Sequence, residues 1–265
     1  MKQRLIVGLG GLAILLPGVV WGDPWVTDVF VTLALLVAVV EFVRMAIPEQ
    51  MNLGYGVFGG SVAVVHAAHL LWSEMLPAAL ATGAMICLTT ALLAVKDTER
   101  GARAGAWMVL GLIYLPVMIG MLSAVRRLEH GVAWVFVTLA LAWAADTGAY
   151  FAGRSLGRTP LFPRVSPKKT WEGAVGGAIA VLIALSIIRV LALPHMGWGH
   201  VIALSLIGGP AGVVGDLVES AFKRASGVKD SGSVLPGHGG ILDRIDSLLF
   251  TAPVTYVYVT SAGLG

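Results

Sequence analysis

Charge is scarce in this chain. Of its 265 residues only 12% are Asp, Glu, Lys or Arg, against 57% hydrophobic, and the mean hydropathy is +0.85. An ordinary soluble domain carries about twice that share of charge, so the composition excludes one and makes lipid the solvent. Cysteine is nearly absent as well. The single one, Cys87, sits inside an apolar run, which excludes an internal disulfide and reads as a small buried hydrophobe. No repeat or low-complexity tract stands out, and little length is left for a separate soluble domain. The net charge of +3 falls in short connections between apolar segments. Topology and headgroup attraction account for it, and nucleic acid is not expected as a partner.

What the chain has is apolar length. Runs extend over about Leu5 to Trp21, Trp25 to Ile47, Gly54 to Trp72, Met75 to Val95, Gly105 to Val125, Val132 to Gly153, Gly173 to Pro194, His200 to Val218 and Ile245 to Leu264. A spanning helix needs roughly 20 such residues. The expected fold class is therefore all-α, a polytopic transmembrane bundle of roughly nine spans, or eight with a re-entrant hairpin at the start. Residues 1–130 are read as N-terminal transmembrane helices and 131–265 as the C-terminal catalytic region of one integral membrane unit. The basic N-terminus resembles a signal peptide, but no small-residue cleavage site precedes Trp21-Gly22-Asp23-Pro24, so it is read as a retained first span. Small residues such as Gly173, Gly176 and Gly177 allow helices to touch closely in lipid. His66 and His69, three apart in an apolar run, could ligate a metal, but no acid or cysteine accompanies them, so packing in the core or at an interface is expected.

Lysine and arginine in short loops orient the bundle. Lys2 and Arg4, Arg44, Lys96, Arg100 and Arg103, the run from Arg154 to Lys169, and Lys223, Arg224 and Lys229 share one side if the N-terminus is inside. Arg126 and Arg127 run against the pattern. Both polar loops of the C-terminal half then face the cytoplasm.

About half of all charged residues lie between Trp143 and Ser247, although that interval holds two long apolar runs. Its first cluster contains Asp146, Arg154, Arg158 and Arg164, then Ser166-Pro167-Lys168-Lys169-Thr170-Trp171-Glu172-Gly173. Two lysines at a helix start, with Thr170 as cap, favour an anion such as a polyphosphate. Asp146 falls inside an otherwise membrane-embedded stretch, where an ionised carboxylate costs several kcal/mol unless paired or solvated. It is read as a functional group or as the partner of Arg154 or another cation.

The second cluster runs through Asp216, Glu219, Ser220, Lys223, Arg224, Lys229, Asp230, His238, Gly239, Gly240, Asp243, Arg244 and Asp246. Asp216 with Glu219 or Ser220, and Asp243 with Asp246, each share a helix face. Carboxylates from two helices, close to cations and a glycine loop, suit Mg²⁺ bound jointly with substrate phosphates. The loop Pro236 to Gly240 can bring backbone N–H groups near a phosphate, and Lys223, Arg224 and Arg244 would neutralise remaining charge. His238 stays open between a catalytic group and a hydrogen-bonded turn histidine.

At these residues the sequence resembles the phosphatidate cytidylyltransferase family. Ser220-Ala221-Phe222-Lys223-Arg224, Lys229-Asp230, and Leu235-Pro236-Gly237-His238-Gly239-Gly240-Ile241-Leu242-Asp243-Arg244-Ile245-Asp246 match its motif, and the stretch from Asp146 to Gly173 is similar to a second block. The likeness at residue level covers about Trp143 to Ser247. It implies conversion of CTP and phosphatidic acid into CDP-diacylglycerol and pyrophosphate, with Mg²⁺, room for a second cation such as K⁺, and a homodimer. By the resemblance Asp216, Asp243 and Asp246 face the metal, and with Lys223 and Arg224 they form the catalytic group. Asp146, Ser166, Lys168, Lys169, Thr170, Glu172, Ser220, Lys229, Asp230, His238, Gly239, Gly240 and Arg244 are assigned to substrate. The expected setting is the cell inner membrane, with the site at its cytoplasmic face. Two rival functions are an ion or anion transporter and a CTP-dependent lipid kinase.

Overall fold

The computed structural model describes residues 13, 15–232, 234 and 239–265. The basic residues Lys2 and Arg4, the start of the first apolar run, and Leu235 to His238 lie outside them. Residues 15–21 are helical. Helices follow at α1 (Pro24–Ala46), α2 (Pro48–Leu71), α3 (Ser73–Ala94), α4 (Thr98–Arg126), α5 (Gly131–Leu156), α6 (Trp171–Ala192), α7 (Trp198–Ala225) and α8 (Leu242–Ser261). The first seven of these are long and apolar enough to cross a bilayer, so the chain is an integral membrane protein. α8 has spanning length but begins with Asp243, Arg244 and Asp246.

Contacts divide the chain into two units. One comprises Met1–Ser123 with Ser226–Arg244, the other Ala124–Ala225 with Ile245–Gly265. In the first, aromatic rings join three helices within a mainly aliphatic core. Phe42 of α1 meets Phe58 of α2 at 5.5 Å and Trp107 of α4 at 6.0 Å between ring centres. Both α2 and α4 widen into a π-turn, at Gly54–Phe58 and Ile113–Val117; the second encloses Pro116, whose missing N–H breaks the regular ladder. His66 fills a packing role as expected, buried with Nε2 2.9 Å from Thr32 Oγ1. Cys87 is buried and its thiol donates to Ser61 Oγ.

In the second unit α5 and α6 lie backbone to backbone. A Cβ on Gly148 would come within 2.6 Å of the Gly176 carbonyl oxygen, and one on Gly177 within 2.7 Å of that of Ala145. Glycine alone permits this seam, the close contact expected from Gly173, Gly176 and Gly177. The opposite face of α6 exposes Val175, Ile179, Ile183 and Ile187 to the surroundings, as a lipid-facing helix does. Gly215 of α7 similarly admits α8, since a Cβ there would meet the Asp246 carbonyl oxygen at 2.6 Å. The connection from α5 to α6 forms an antiparallel hairpin of β1 (Pro160–Phe162) and β2 (Ser166–Thr170), a small departure from an all-helical chain.

Gly177→Leu should force the α5–α6 seam apart and lower the thermal midpoint in detergent by several degrees, in line with an overpacking cost of about 1–3 kcal/mol. An unchanged midpoint would refute the seam.

Candidate active site

The polar residues of the second unit gather at one end of it because of chain direction. α5 ends where the hairpin begins, α6 starts from the hairpin and runs away, and α7 returns, so the C-terminal turns of α5 and α7 share an end with the first turn of α6. A cavity of about 260 Å³ opens there, lined in part by Asp146, Tyr150, Lys168, Lys169, Thr170 and Asp216. Five of these six were singled out from the sequence, from stretches some 70 residues apart, and the fold brings them to one wall.

Lys169 Nζ lies 2.7 Å from Asp216 Oδ2. On its other side Asp216 Oδ1 accepts from the Ser220 hydroxyl at 3.3 Å, one helical turn on. Asp246 joins this cluster: the carboxylates of Asp216 and Asp146 both act on it electrostatically, as does the cation of Lys223. Lys223 itself pairs with Glu219 on the next turn of α7, and Glu219 is fully buried. Three acids from three helices thus meet two lysines. Like charges at such range repel strongly unless cations stand between them.

The hairpin that carries Lys168 and Lys169 is pinned at its base. Thr170 is the N-cap of α6, its Oγ1 accepting from Gly173 N at 3.1 Å, as its position in the sequence implied. Glu172 takes the other strap. Its carboxylate accepts from the backbone N–H groups of Arg158 and Thr159 and from the Thr159 hydroxyl at 2.9 Å. Glu172 therefore braces the loop before β1 and does not line the cavity. Ser166 opens β2, and Arg154 Nη1 donates to Tyr150 Oη at 2.8 Å.

In the first unit a different arrangement surrounds Asp243. Its Oδ2 accepts from Gly240 N at 2.8 Å, Ser231 Oγ at 2.9 Å and Ser231 N at 3.1 Å. Gly239, at φ +81°, makes the turn that a side chain would strain. Beside it Glu41 of α1 accepts from Ile241 N at 3.1 Å and Leu242 N at 2.8 Å. The sequence suggested that the loop Pro236 to Gly240 brings backbone N–H groups near a phosphate; that of Gly240 donates to the Asp243 carboxylate, and Pro236 to His238 lie outside the described residues. Lys229, Asp230, Arg224 and Arg244 are exposed, and His238 lies outside the described residues. Glu41 was not found from the sequence. Its only signal was an acid inside an apolar run, about 200 residues from the groups it binds.

Asp146, Asp216 and Asp246 supply hard oxygen donors and excess negative charge, so a hard divalent cation fits the second unit. Among the described residues no three His, Cys, Asp or Glu side chains close into a ligand cage. Mg²⁺ needs none, since it is commonly held by one or two carboxylates together with substrate phosphates and water.

Residues 2–262 match the model of the cytidylyltransferase family. The chain is 34% identical to a phosphatidate cytidylyltransferase of Bacillus subtilis, covering 97% of this chain and 96% of the relative. It is 36% identical to one of Pseudomonas aeruginosa, over 100% and 99%, and 40% identical to one of Brucella suis, over 68% and 66%.

The Lys169–Asp216 pair should show energetic coupling. A thermal double-mutant cycle with Lys169→Gln and Asp216→Asn is expected to give about 1 kcal/mol of interaction at this partly exposed site. Additive single effects would contradict the contact.

Proposed function

The chain belongs to the cytidylyltransferase family, and we infer that it transfers CMP from CTP to phosphatidic acid, giving CDP-diacylglycerol and pyrophosphate for phospholipid biosynthesis. The observation that carries the assignment to a site is the cavity where Asp146 and Asp216 face Lys168 and Lys169.

No enzyme nucleophile is required. The phosphate monoester of phosphatidic acid is an anionic oxygen nucleophile at neutral pH, so the protein's task is placement for in-line attack on the α-phosphorus of CTP. Lys168 and Lys169, just before the first turn of α6 and its positive dipole end, suit the polyphosphate and offset charge as pyrophosphate leaves. Asp216 and Asp246 would hold Mg²⁺, with Asp146 nearby. Bound there, the ion supplies charge neutralisation on the substrate phosphates. As substrate enters, Lys169 can exchange its carboxylate partner for a phosphate oxygen. Asp243 is assigned to the metal by the family likeness; its Oδ2 already accepts three bonds, and further acceptor capacity remains on the carboxylate. K⁺ as second cation and a homodimer rest on that likeness alone.

The basic loops support a cytoplasmic site in the inner membrane. A reaction centre near the bilayer edge lets both acyl chains stay in lipid while the headgroup reacts.

Purified protein in liposomes with phosphatidic acid, CTP and Mg²⁺ should release pyrophosphate and liponucleotide, and a chelator should abolish both. Appearance of CDP in place of pyrophosphate would identify a lipid kinase instead. Asp216→Asn and Asp246→Asn should each cut turnover at least 100-fold with membrane insertion intact, and Asp243→Asn tests its metal role in the same assay. Activity near that of the parent would refute the assignment of the residue concerned.

A further inference from the structure

Glu41 is a carboxylate within a span of 23 residues whose side chain is 1% exposed. Burial of that kind is costly and persists where the group is satisfied. Its partners are specific. Oε1 and Oε2 accept separately from Ile241 N and Leu242 N, at the start of α8, and Oε2 also lies 3.3 Å from the Ser231 hydroxyl. The first N–H groups of a helix have no partner within it, and their end of the helix dipole is positive, so a carboxylate from another element is a suitable cap.

The Ser231 hydroxyl links this cap to the motif. It lies 3.3 Å from Glu41 Oε2 and 2.9 Å from Asp243 Oδ2. The surrounding backbone is shaped to admit the charge: a Cβ on Gly232 would collide with the Glu41 carboxylate, and one on Gly240 with both Glu41 and Ser231. Glycine at these two positions thus answers to an acid in the first described span.

We propose that Glu41 is a positioning residue for cytidylyl transfer, fixing the turn Gly239 to Leu242 and, through Ser231, the orientation of the Asp243 carboxylate. This rests on the cytidylyltransferase reading and on a role for Asp243 in it. Glu41 touches no substrate in this scheme. It acts by holding two backbone N–H groups that glutamine, with one oxygen acceptor and one amide donor, can satisfy only in part.

The test uses full-length protein in liposomes. Glu41→Gln should lower kcat about 10- to 100-fold, the size expected for loss of a buried charge-assisted hydrogen bond, while KM for CTP moves less than about threefold. Ser231→Ala, which removes the link and leaves Glu41 in place, should lower kcat about 3- to 10-fold. The double variant should lose less than the product of the two, since both act on one network. Hydrogen exchange should rise in the turn at 239–242 in Glu41→Gln and not in α6. Unchanged kcat in the folded fraction of both variants, whatever their thermal midpoints, would overturn the proposal; so would a rise in KM with kcat intact. If Glu41→Gln fails to insert, the kcat of Ser231→Ala alone decides. Failure of the underlying reading looks different: the parent protein itself would then form no liponucleotide.

Discussion

A carboxylate inside a membrane protein must be given something to offset its charge, and that requirement organises both halves of this structure. Where the acids are Asp216 and Asp246, the offset comes from lysine side chains. Where they are Glu41 and Asp243, it comes from backbone N–H groups at a helix start and from a serine hydroxyl. The two solutions differ in kind. Side-chain cations can move to another anion when one arrives, whereas backbone donors at a helix N-terminus stay where the chain puts them. The first cluster is thereby suited to exchange with substrate, the second to holding a shape.

The helices that deliver these groups are placed by glycine. α5 and α6 meet with nothing larger than alanine between these glycines and the facing chain, and α7 takes the backbone of α8 against Gly215. In lipid, where burying apolar surface gains nothing between helices, such close approach is a main source of cohesion. Close approach also brings Asp216 and Asp246 near one another, because Gly215 and Asp216 are consecutive while the Asp246 carbonyl sits on that glycine. Packing and chemistry share the same turn.

Much of this was legible in the chain. Apolar runs longer than a membrane is thick announce helices without ambiguity, since lipid allows few other structures, and every run after the first corresponds to one. That the Asp146 block and the Asp216 block carry charge for a purpose was readable; that Lys169 of the first pairs with Asp216 of the second was not. The hairpin at Pro160 to Thr170 was not, because the five residues of β2, four of them polar, carry no clear alternation. Glu172 looked like a ligand and is a brace, since composition near a lysine pair does not reveal which way a carboxylate turns. Glu41 was passed over for a different reason: two of its partners are backbone N–H groups, which leave no mark in sequence.

The glycine seam also divides α6 lengthwise. One side admits no added atom, as Gly173, Gly176 and Gly177 face the main chain of α5, while the other presents Val175, Ile179 and Ile183 outward. One hydrocarbon can replace another on the outer strip without disturbing the seam, whereas on the inner strip any side chain larger than a hydrogen must displace α5.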